Sequence, residues 1–410
     1  MSKDTRRRTI ARHGQLRSPG ALGQLLKFIA IGLAVVLVSG FGVAAYIVYD
    51  LSSTVTANAV ELEGTEDLPP DIGAYEGGFN LVLTGVDTCE DAYKQYFGER
   101  CTGKDSEGTL NDVNLLVHVS EEPRRITVVS FPRDLQVPIP ACQDEDGNET
   151  SAMSRQSINV AYGTGGLNCV AKTISELTGQ EVQFAASVTF GGVIEITNAI
   201  GGVDVCLATP IKDKYTGLDM TAGNHTIQGI QALQFLRTRY GVGDGSDLGR
   251  IGNQQQYMSS LVRKMISSET LGNVPVMLKL ANTGLQNTEA STSLANSPMT
   301  IVQIALAVKS VPFEDIVFLQ FPTNTDPYNA NHVVPNEEAA AAMWDAIAQN
   351  AQLQVTHENT EFDGVIVTEP TPTTEATPDP TATPENVVAL PDSIKGNSAA
   401  QQTCSNGNVR

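Results

Sequence analysis

Five charged side chains stand at the ends of apolar runs in this 410-residue chain. Asp87 closes one such run, Asp112 opens the next, and Arg133 ends a third. Arg237 and Arg239 stand two residues apart at the end of a further run. Carboxylates are ligands that Mg²⁺ prefers, and guanidinium groups pair with phosphate oxygens. Together, these residue types predict a site for a metal-bound diphosphate.

The spacing of three strand-like runs indicates how these side chains come together. The runs 113–119 and 126–131 are joined by the short segment SEEPRR, which favours an antiparallel hairpin. The start of the first run then lies beside the end of the second, which places Asp112 near Arg133. If the run before Asp87 pairs parallel to the second run, Asp87 reaches the same sheet edge, where α/β proteins bind ligands.

The helical run 247–266 adds Arg250 and Gln254, whose side chains can donate to phosphate oxygens. Each candidate also has a simpler interpretation. An aspartate after a strand most often serves as a turn or cap residue. Arg133 can pair with the adjacent Asp134, and the other arginines and the glutamine can form solvated polar faces. The interpretation as one site therefore depends on convergence in space.

The N-terminal region predicts a membrane anchor. Residues 28–49 carry no charge and are long enough to cross a bilayer core of about 30 Å at roughly 1.5 Å per residue. Seven basic residues precede this stretch and Asp50 follows it. The positive-inside rule predicts a cytoplasmic tail over 1–27 and an extracellular remainder, tethered by a single pass to the cell membrane. A cleaved signal peptide, with small residues at 57–59, is the alternative.

The chain is acidic, with 26 Lys+Arg against 46 Asp+Glu and a formal net charge of −20. Seven of the basic residues lie in the N-terminal tail, so the remainder is more acidic still. Such a surface repels a nucleic acid backbone, which argues against DNA binding. An anionic substrate must instead be recognised by a local basic pocket, a metal ion or an apolar lipid handle.

The cysteines predict disulfide bonds, because an extracellular compartment is oxidising. Cys89 and Cys101 flank an insert directly after the first acidic candidate, and a bridge between them would stabilise the fold by about 3 kcal/mol in the chain-entropy model. The pairing of Cys404, near the C-terminus, is open, and a free thiol and an intermolecular bond are among the alternatives. The sequence leaves the pairing of three further cysteines open: Cys142, Cys169 and Cys206.

Composition then divides the rest of the chain into three parts. Residues 50–78, rich in Ser, Thr, Ala and acids, predict an extracellular stalk. Residues 79–352 alternate strand-like and helical runs, which predicts an α/β fold with a mixed β-sheet sandwiched by helices. Residues 353–410 are rich in Pro and Thr with few large apolar side chains, which predicts a disordered tail.

Hydrophobic periodicity predicts the individual elements of this domain. The predicted strands are 79–86, 113–119, 126–131, 184–190, 203–207 and 315–321. The predicted helices are 168–177, 192–200, 227–236, 247–266, 299–308 and 336–348.

A series of short motifs is specific through its order and spacing, although each motif is weak alone. They are NLVLTGVD (80–87), SFPRD (130–134), INVAYGTGG (158–166), GGVD (201–204), YTGLD (215–219), GIQAL (229–233), RTR (237–239) and DLGR (247–250). Their arrangement resembles the LytR-CpsA-Psr (LCP) family of cell-wall glycopolymer transferases over roughly residues 79–265. The cysteines around Asp87 resemble those of actinobacterial members.

The resemblance implies transfer of a glycopolymer from polyprenyl diphosphate to a peptidoglycan hydroxyl through a phosphodiester, with Mg²⁺ or Mn²⁺ as cofactor. The prenyl chain is expected in an apolar tunnel. The positions that match the family's metal-binding carboxylates are Asp87 and Asp112, and those that match its catalytic, diphosphate-binding arginines are Arg133, Arg237 and Arg239. Gln254 matches a polar contact in the following helix.

Three positions depart from the family pattern, because Leu110, Ser157 and Asn253 stand where basic residues are common, although Arg155 is near the second of them. The substrate charge or the activity can differ accordingly. Three other functions stay open: a pyrophosphatase that uses water as the nucleophile, a transcriptional attenuator and a non-catalytic wall-binding protein. The identity of the polymer is open as well.

Overall fold

The computed structural model describes residues 59–60, 75–97, 101, 109–144, 146–266, 280, 283–284, 286–295, 298–309, 311–357, 360–368 and 386–408. The predicted cytoplasmic tail 1–27, the predicted anchor 28–49 and most of the predicted stalk 50–78 lie outside these residues. Within the described ranges, no helix has the length and apolar character needed to cross a membrane.

The strands are β1 Ala59–Val60, β2 Phe79–Val86, β3 Asn111–Val119, β4 Ile126–Phe131, β5 Gln136–Ile139, β6 Met153–Ser157, β7 Phe184–Thr189, β8 Val203–Leu207, β9 Ile211–Asp213, β10 Leu218–Met220, β11 Gly223–Ile227, β12 Thr288–Ser291, β13 Ile316–Gln320, β14 Thr323–Thr325, β15 Val333–Pro335, β16 Gln352–Gln354, β17 Val365–Val367, β18 Val387–Ala389, β19 Gly396–Ser398 and β20 Thr403–Ser405. The α-helices are α1 Ala161–Thr178, α2 Phe190–Ala199, α3 Gly229–Arg237, α4 Asp247–Ile266, α5 Thr292–Ala295, α6 Pro298–Lys309 and α7 Glu337–Ala348.

A mixed eight-stranded sheet forms the centre of the fold, in the order β1-β12-β7-β2-β3-β4-β13-β19. The predicted hairpin is confirmed, because β3 and β4 pair antiparallel from Val119↔Ile126 to Asn114↔Phe131. The expected pairing of β2 with β4 is wrong, since β3 lies between them and pairs antiparallel with both. The intervening strand still leaves β2 and β4 parallel, so both end at the same edge of the sheet.

Both faces of this sheet are covered, which explains its long apolar runs. On one face, Leu116 and Val129 are fully buried in a cluster that includes residues of α1 and α7. On the other face, Leu115 and Val128 pack in a cluster that includes residues of α4 and α6. The alternation of neighbouring residues between two clusters follows from the two-residue period of a strand. The predicted mixed α/β fold, a sheet between helices, is confirmed.

The expectation of a disordered tail over 353–410 is wrong for the described residues 386–408. In this segment β18 pairs with β16, β19 pairs with β13 at the edge of the central sheet, and β20 pairs with β17. Leu390 and Ile394 are buried in the main core. Residues 369–385, which lie outside the described residues, are rich in Pro and Thr. They dominate the average composition of 353–410, so this average does not reveal the apolar residues of 386–408.

Three disulfide bonds account for all six cysteines. The predicted Cys89–Cys101 bridge is present, with Cα atoms 5.4 Å apart. The other two bonds are Cys142–Cys169 and Cys206–Cys404. The sequence left the pairing of Cys404 open, and the structure pairs it within the chain because β20 brings it beside β8.

Candidate active site

The site begins at a β-bulge that sets the direction of Asp112. In the pairing of β2 with β3, Gly85 lies opposite Val113 and Val86 lies opposite Asn111, which leaves Asp112 as the extra residue. Such a bulge bends the strand and re-aims a side chain at the edge of a sheet.

Buried Asn111 fixes this bulge to the start of α1. Its Nδ2 donates to the carbonyl of Ile158 at 3.1 Å, and its Oδ1 accepts from the backbone N–H of Tyr162 at 3.0 Å. The motif INVAYGTGG thus holds the strand end that carries Asp112.

Asp87 lies directly after β2 and is 5% exposed. Its Oδ1 accepts from the backbone N–H of Leu110 at 2.6 Å, and its own N–H donates to the Leu110 carbonyl at 3.0 Å. These two contacts hold Asp87 against the residues that lead into the bulge. The sequence therefore correctly predicts that Asp87 and Asp112 reach one edge of the sheet.

Arg133 joins this edge from the turn after β4. Its Nη1 lies 2.9 Å from Oδ1 of Asp112, and its Nε lies 3.7 Å from Asp134 and 3.9 Å from Asp247. Burial opposes the charge of Arg133, but the three carboxylates outweigh burial and raise the pKa of its guanidinium. Arg133 therefore stays charged at the centre of an acidic cluster.

The first turn of α4 supplies a second ion pair to the same cluster. Nη2 of Arg250 lies 2.7 Å from Oδ1 of Asp247 and donates to the backbone carbonyl of Asp112 at 2.9 Å. Burial raises the pKa of Asp134, and repulsion from Asp247 raises it further. Three nearby arginines have a smaller, opposite effect. The cluster therefore alternates guanidinium and carboxylate groups.

Three arginines of the site keep a buried donor that makes no hydrogen bond within the described part of the chain: Nε of Arg133, Arg239 and Arg250. A buried donor without an acceptor costs about 1–3 kcal/mol. An anion with several oxygens, such as a diphosphate, is the kind of ligand that satisfies such donors.

Arg237 is the last residue of α3 and lies under the insert between Cys89 and Cys101. Its guanidinium carbon is 5.1 Å from the ring centroid of Phe97, within this insert, and 4.8 Å from that of Phe190, the first residue of α2. Burial lowers the pKa of Arg237, with smaller opposing effects from Asp112 and Asp87 that raise it. Both carboxylates therefore act on this guanidinium, and it makes no ion pair with a described residue.

Arg237 and Arg239 have different partners, because the helix ends between them. Thr238 is extended, with φ −60° and ψ 131°. Nη2 of Arg239 lies 3.7 Å from Oδ2 of Asp134, and its guanidinium carbon lies 6.0 Å from the ring of Tyr240. The two arginines thus approach the acidic cluster from different positions.

A largely apolar cavity of about 220 Å³ opens beside Arg237. Its walls come from β2, β3, β4, β7 and β13 and from helices α2, α3 and α4, and include Leu83, Val188, Leu233, Leu261 and Phe318. Its polar lining includes Asp112, Arg237, Arg250 and Gln254. The cavity therefore offers an apolar space to a ligand whose charged group is held by arginines.

Gln254 is less available than the sequence suggests. Its Nε2 donates to the carbonyl of Leu236 at 3.0 Å, which fastens α4 to the end of α3. One amide proton of Gln254 therefore stabilises the fold, and its side chain lines the cavity.

The three neutral replacements each take part in the local structure. The backbone of Leu110 holds Asp87, the hydroxyl of Ser157 accepts from Gln136 at 2.6 Å, and the amide of Asn253 donates to the Phe235 carbonyl at 2.7 Å. Arg155 does not replace the missing charge at the cluster, because it pairs with Asp326 at 2.5 Å.

Asp247 and the two phenylalanines around Arg237 are the site residues that sequence reasoning missed. The one sequence signal for Asp247 is its position three residues before Arg250, a spacing that favours an ion pair within a helix. Phe97 has no such signal, because only the disulfide-closed insert brings it to the arginine.

The pair of carboxylates suits a hard divalent cation. Among the described residues, no group of three or more His, Cys, Asp or Glu side chains is arranged to hold a metal. Mg²⁺ commonly uses one or two carboxylates and takes its other ligands from phosphates and water. The ion pair with Arg133 uses Oδ1 of Asp112. Asp87 and Asp112 therefore fit a metal whose remaining ligands come from a substrate.

The fold occurs in solved structures. Protein gbs0355 from Streptococcus agalactiae matches with a TM-score of 0.52 and 22% identity, over 67% of this chain and 87% of that one. A structure described as TagT bound to LI-WTA matches with a TM-score of 0.50 and 18% identity, over 71% of this chain and 98% of that one. At these identities the likeness concerns the fold.

Curated relatives are cell-wall proteins. The chain is 28% identical over 275 residues to the cell wall biosynthesis protein LcpA of Corynebacterium glutamicum, a match over 62% of this chain and 51% of LcpA. It is 25% identical over 257 residues to the polyisoprenyl-teichoic acid–peptidoglycan teichoic acid transferase TagU of Enterococcus faecalis, over 62% of this chain and 76% of TagU. The chain spans about half the length of LcpA and of its sister protein LcpB.

The model of the LytR_cpsA_psr family matches residues 45–349, which include every strand of the central sheet except β19 and every arginine and carboxylate of the site. The chain belongs to the LytR_cpsA_psr family.

Proposed function

We propose that the protein is a membrane-anchored phosphotransferase that joins a polyprenyl-diphosphate-linked anionic glycopolymer to peptidoglycan through a phosphodiester. Its catalytic domain lies on the outer face of the cell membrane, and its activity depends on Mg²⁺. The uncharged stretch 28–49 and its basic flank support the anchor and its orientation.

One observation carries the proposal: an apolar cavity that has arginines and a carboxylate at its polar part. A prenyl chain requires an apolar space, whereas the diphosphate attached to it requires cations. Leu233 and Leu261 line the first kind of environment, and Arg237 and Arg250 the second. A purely apolar ligand would leave the arginines of this cavity without an anionic partner, and a purely polar ligand would place polar groups against its apolar walls.

The arginines hold the diphosphate. Arg237 is half-buried, lies against two aromatic rings and has no ion-pair partner among the described residues, so a bound phosphate supplies the anion it lacks. The unsatisfied Nε donors of Arg133 and Arg250 lie in the same cluster. Charge-assisted contacts of this kind contribute about 1.5–3 kcal/mol each.

Asp87 and Asp112 would hold the Mg²⁺, which would neutralise charge that develops on the transferred phosphoryl group. Arg133 positions Asp112 through their 2.9 Å contact. The Phe97 insert covers Arg237 and keeps water from that side of the diphosphate.

In the proposed reaction, a peptidoglycan hydroxyl oxygen attacks the sugar-side phosphorus and forms a new P–O bond. The bond from this phosphorus to the bridging oxygen breaks, and polyprenyl phosphate leaves with the bonding electron pair. The hydroxyl proton passes to solvent. The relatives TagU and TagT, which are named as teichoic acid transferases, support this class of reaction.

A product assay tests the proposal. The purified protein is incubated with Mg²⁺, a lipid-linked glycopolymer and peptidoglycan, and the products are separated by mass. Transfer yields glycopolymer bound to peptidoglycan and one polyprenyl phosphate. Release of soluble glycopolymer phosphate together with polyprenyl phosphate, without attachment, would instead establish the pyrophosphatase. No consumption of the lipid donor would refute both.

A further inference from the structure

Two tyrosines form an exposed aromatic pair close to the arginine cluster. Tyr215 is 69% exposed and Tyr240 is 53% exposed, and their ring centroids lie 4.8 Å apart with an interplanar angle of 48°. Water surrounds much of both rings, although aromatic side chains gain free energy from burial. Two adjacent exposed rings offer an apolar surface on which a ligand with an apolar face can pack.

A single buried carboxylate fastens this pair to the active site. Oδ1 of Asp213 accepts from the backbone N–H of Tyr215 at 2.9 Å. Its Oδ2 accepts from the hydroxyl of Thr238 at 2.8 Å and from the backbone N–H of Arg239 at 3.2 Å. Asp213 is 3% exposed, so these contacts are shielded from water. The position of the tyrosines is therefore tied to that of Arg239.

A continuous series of contacts leads from the cavity to the tyrosines. Asp112 lines the cavity and lies 2.9 Å from Arg133, which is 3.7 Å from Asp134. Asp134 is 3.7 Å from Arg239, whose guanidinium is 6.0 Å from the Tyr240 ring. Arg239 and Tyr240 do not line the cavity. A ligand with its apolar part in the cavity and its diphosphate on the arginines meets Tyr240 if its third part extends past Arg239.

We propose that Tyr215 and Tyr240 form a stacking platform for the saccharide that is attached to the diphosphate of the lipid donor. The inference rests on the proposed function. The C–H faces of a pyranose ring are apolar and pack on aromatic rings, whereas the sugar hydroxyls stay hydrated. Nζ of Lys214 lies 5.1 Å from the Tyr215 ring centroid and adds positive charge, which suits a saccharide of an anionic polymer.

Binding measurements with two probes test this inference. One probe is a short prenyl diphosphate, and the other is the same molecule with one N-acetylhexosamine on the diphosphate. Affinities for the full-length protein in detergent are measured by calorimetry with Mg²⁺ and without peptidoglycan. We expect the wild-type protein to bind the sugar-bearing probe about tenfold more tightly. In a Tyr215→Ala/Tyr240→Ala variant, this difference should vanish while the affinity for the sugar-free probe stays unchanged.

Further variants make the result decisive. Tyr215→Phe/Tyr240→Phe should keep the preference for the sugar, because the rings remain, and Tyr328→Ala should keep it because this exposed tyrosine lies outside the contact series. Each single alanine variant is measured too, so that a folding defect of the double variant does not determine the outcome. A sugar preference that survives in the alanine variants would overturn the inference.

Two other outcomes separate the possible errors. If the wild-type protein binds neither probe, the proposed function fails and this inference fails with it. If the tyrosines affect the binding of a soluble peptidoglycan disaccharide but have no effect on the donor probes, the platform serves the acceptor and the donor assignment is overturned.

Discussion

Arg133 donates to Asp112 across 2.9 Å, and this ion pair links the bulge of β3 to the turn after β4. The two side chains are 25% and 15% exposed, so solvent screens their interaction only in part. The contact has two consequences for the site. It directs Asp112 to the polar part of the cavity, and it leaves Nε of Arg133 buried without a hydrogen bond among the described residues.

Asp112→Asn should lower the rate of glycopolymer transfer by about 100-fold, because the neutral amide neither attracts a divalent cation nor balances Arg133. The amide keeps the shape of the carboxylate, so circular dichroism should show an intact fold. Asp219→Asn is the matched control, since Asp219 is exposed and pairs with Lys212 on the surface. Equal activity of Asp112→Asn and wild-type protein would remove Asp112 from the site.

Arg237→Lys should weaken donor binding by about 10–100-fold, although the positive charge is kept. An ammonium group cannot lay a planar face against Phe97 and Phe190 or present two parallel donors to a phosphate. The KM for the lipid donor measures this loss. Arg155→Lys, at an arginine paired with Asp326, should leave the KM near the wild-type value. A normal KM for Arg237→Lys would show that stacking has no part in binding.

Replacement of both Cys89 and Cys101 by serine should raise the KM for the lipid donor. It should also lower the free energy of unfolding by about 3 kcal/mol in the chain-entropy model. The insert would lose the closure that holds Phe97 over Arg237. The corresponding double replacement of Cys142 and Cys169 should lower stability with little change in KM. The two effects are separated by denaturant unfolding and steady-state kinetics, and equal KM values for both double variants would contradict this role of the insert.

Ile394→Ala should destabilise the domain by about 2–5 kcal/mol, because Ile394 is fully buried in the main core. Val387→Ala is the control, since Val387 in the same C-terminal segment is 49% exposed and should change stability by less than about 0.5 kcal/mol. Urea unfolding measures both. Similar midpoints for the two variants would mean that the segment does not pack into the core in solution.

The contribution of Asp363 to stability should disappear in acid. Burial opposes its ionisation, but hydrogen bonds from Lys395 and Thr360 outweigh burial and lower its pKa to about 2 from the ordinary value of 3.8. A lowered carboxyl pKa stabilises the fold above the unfolded-state value, and this stabilisation is lost as the pH falls from 3.8 towards 2.

At neutral pH, Asp363→Asn should therefore be less stable than the wild-type protein by about 2 kcal/mol. The difference in unfolding free energy should shrink to nearly zero at about pH 2. Measurements across this range check the prediction, and a difference that does not change with pH would rule out the carboxylate charge as its source.

Local patterns in the sequence account for much of the fold. The strands 79–86, 126–131 and 203–207 and the helix 247–266 have the predicted bounds, because burial of one or both faces leaves a periodic record in the residues themselves. The hairpin of β3 and β4 was also predictable from its short connection, and with it the approach of Asp112 to Arg133. The ordered segment 386–408 escaped this reasoning, since its short strands are stable only through pairing with distant partners.

The sequence alone determined the residue types of the site, their placement at strand ends and the motif order that resembles the family. Only the tertiary structure decided which groups meet: the bulge that aims Asp112, the Phe97 insert over Arg237, the Cys206–Cys404 bond and the divergence of Arg237 from Arg239. The reason is physical. Periodicity and turn chemistry act over a few neighbouring residues, whereas these contacts join residues far apart in the chain, and packing of the whole domain selects them.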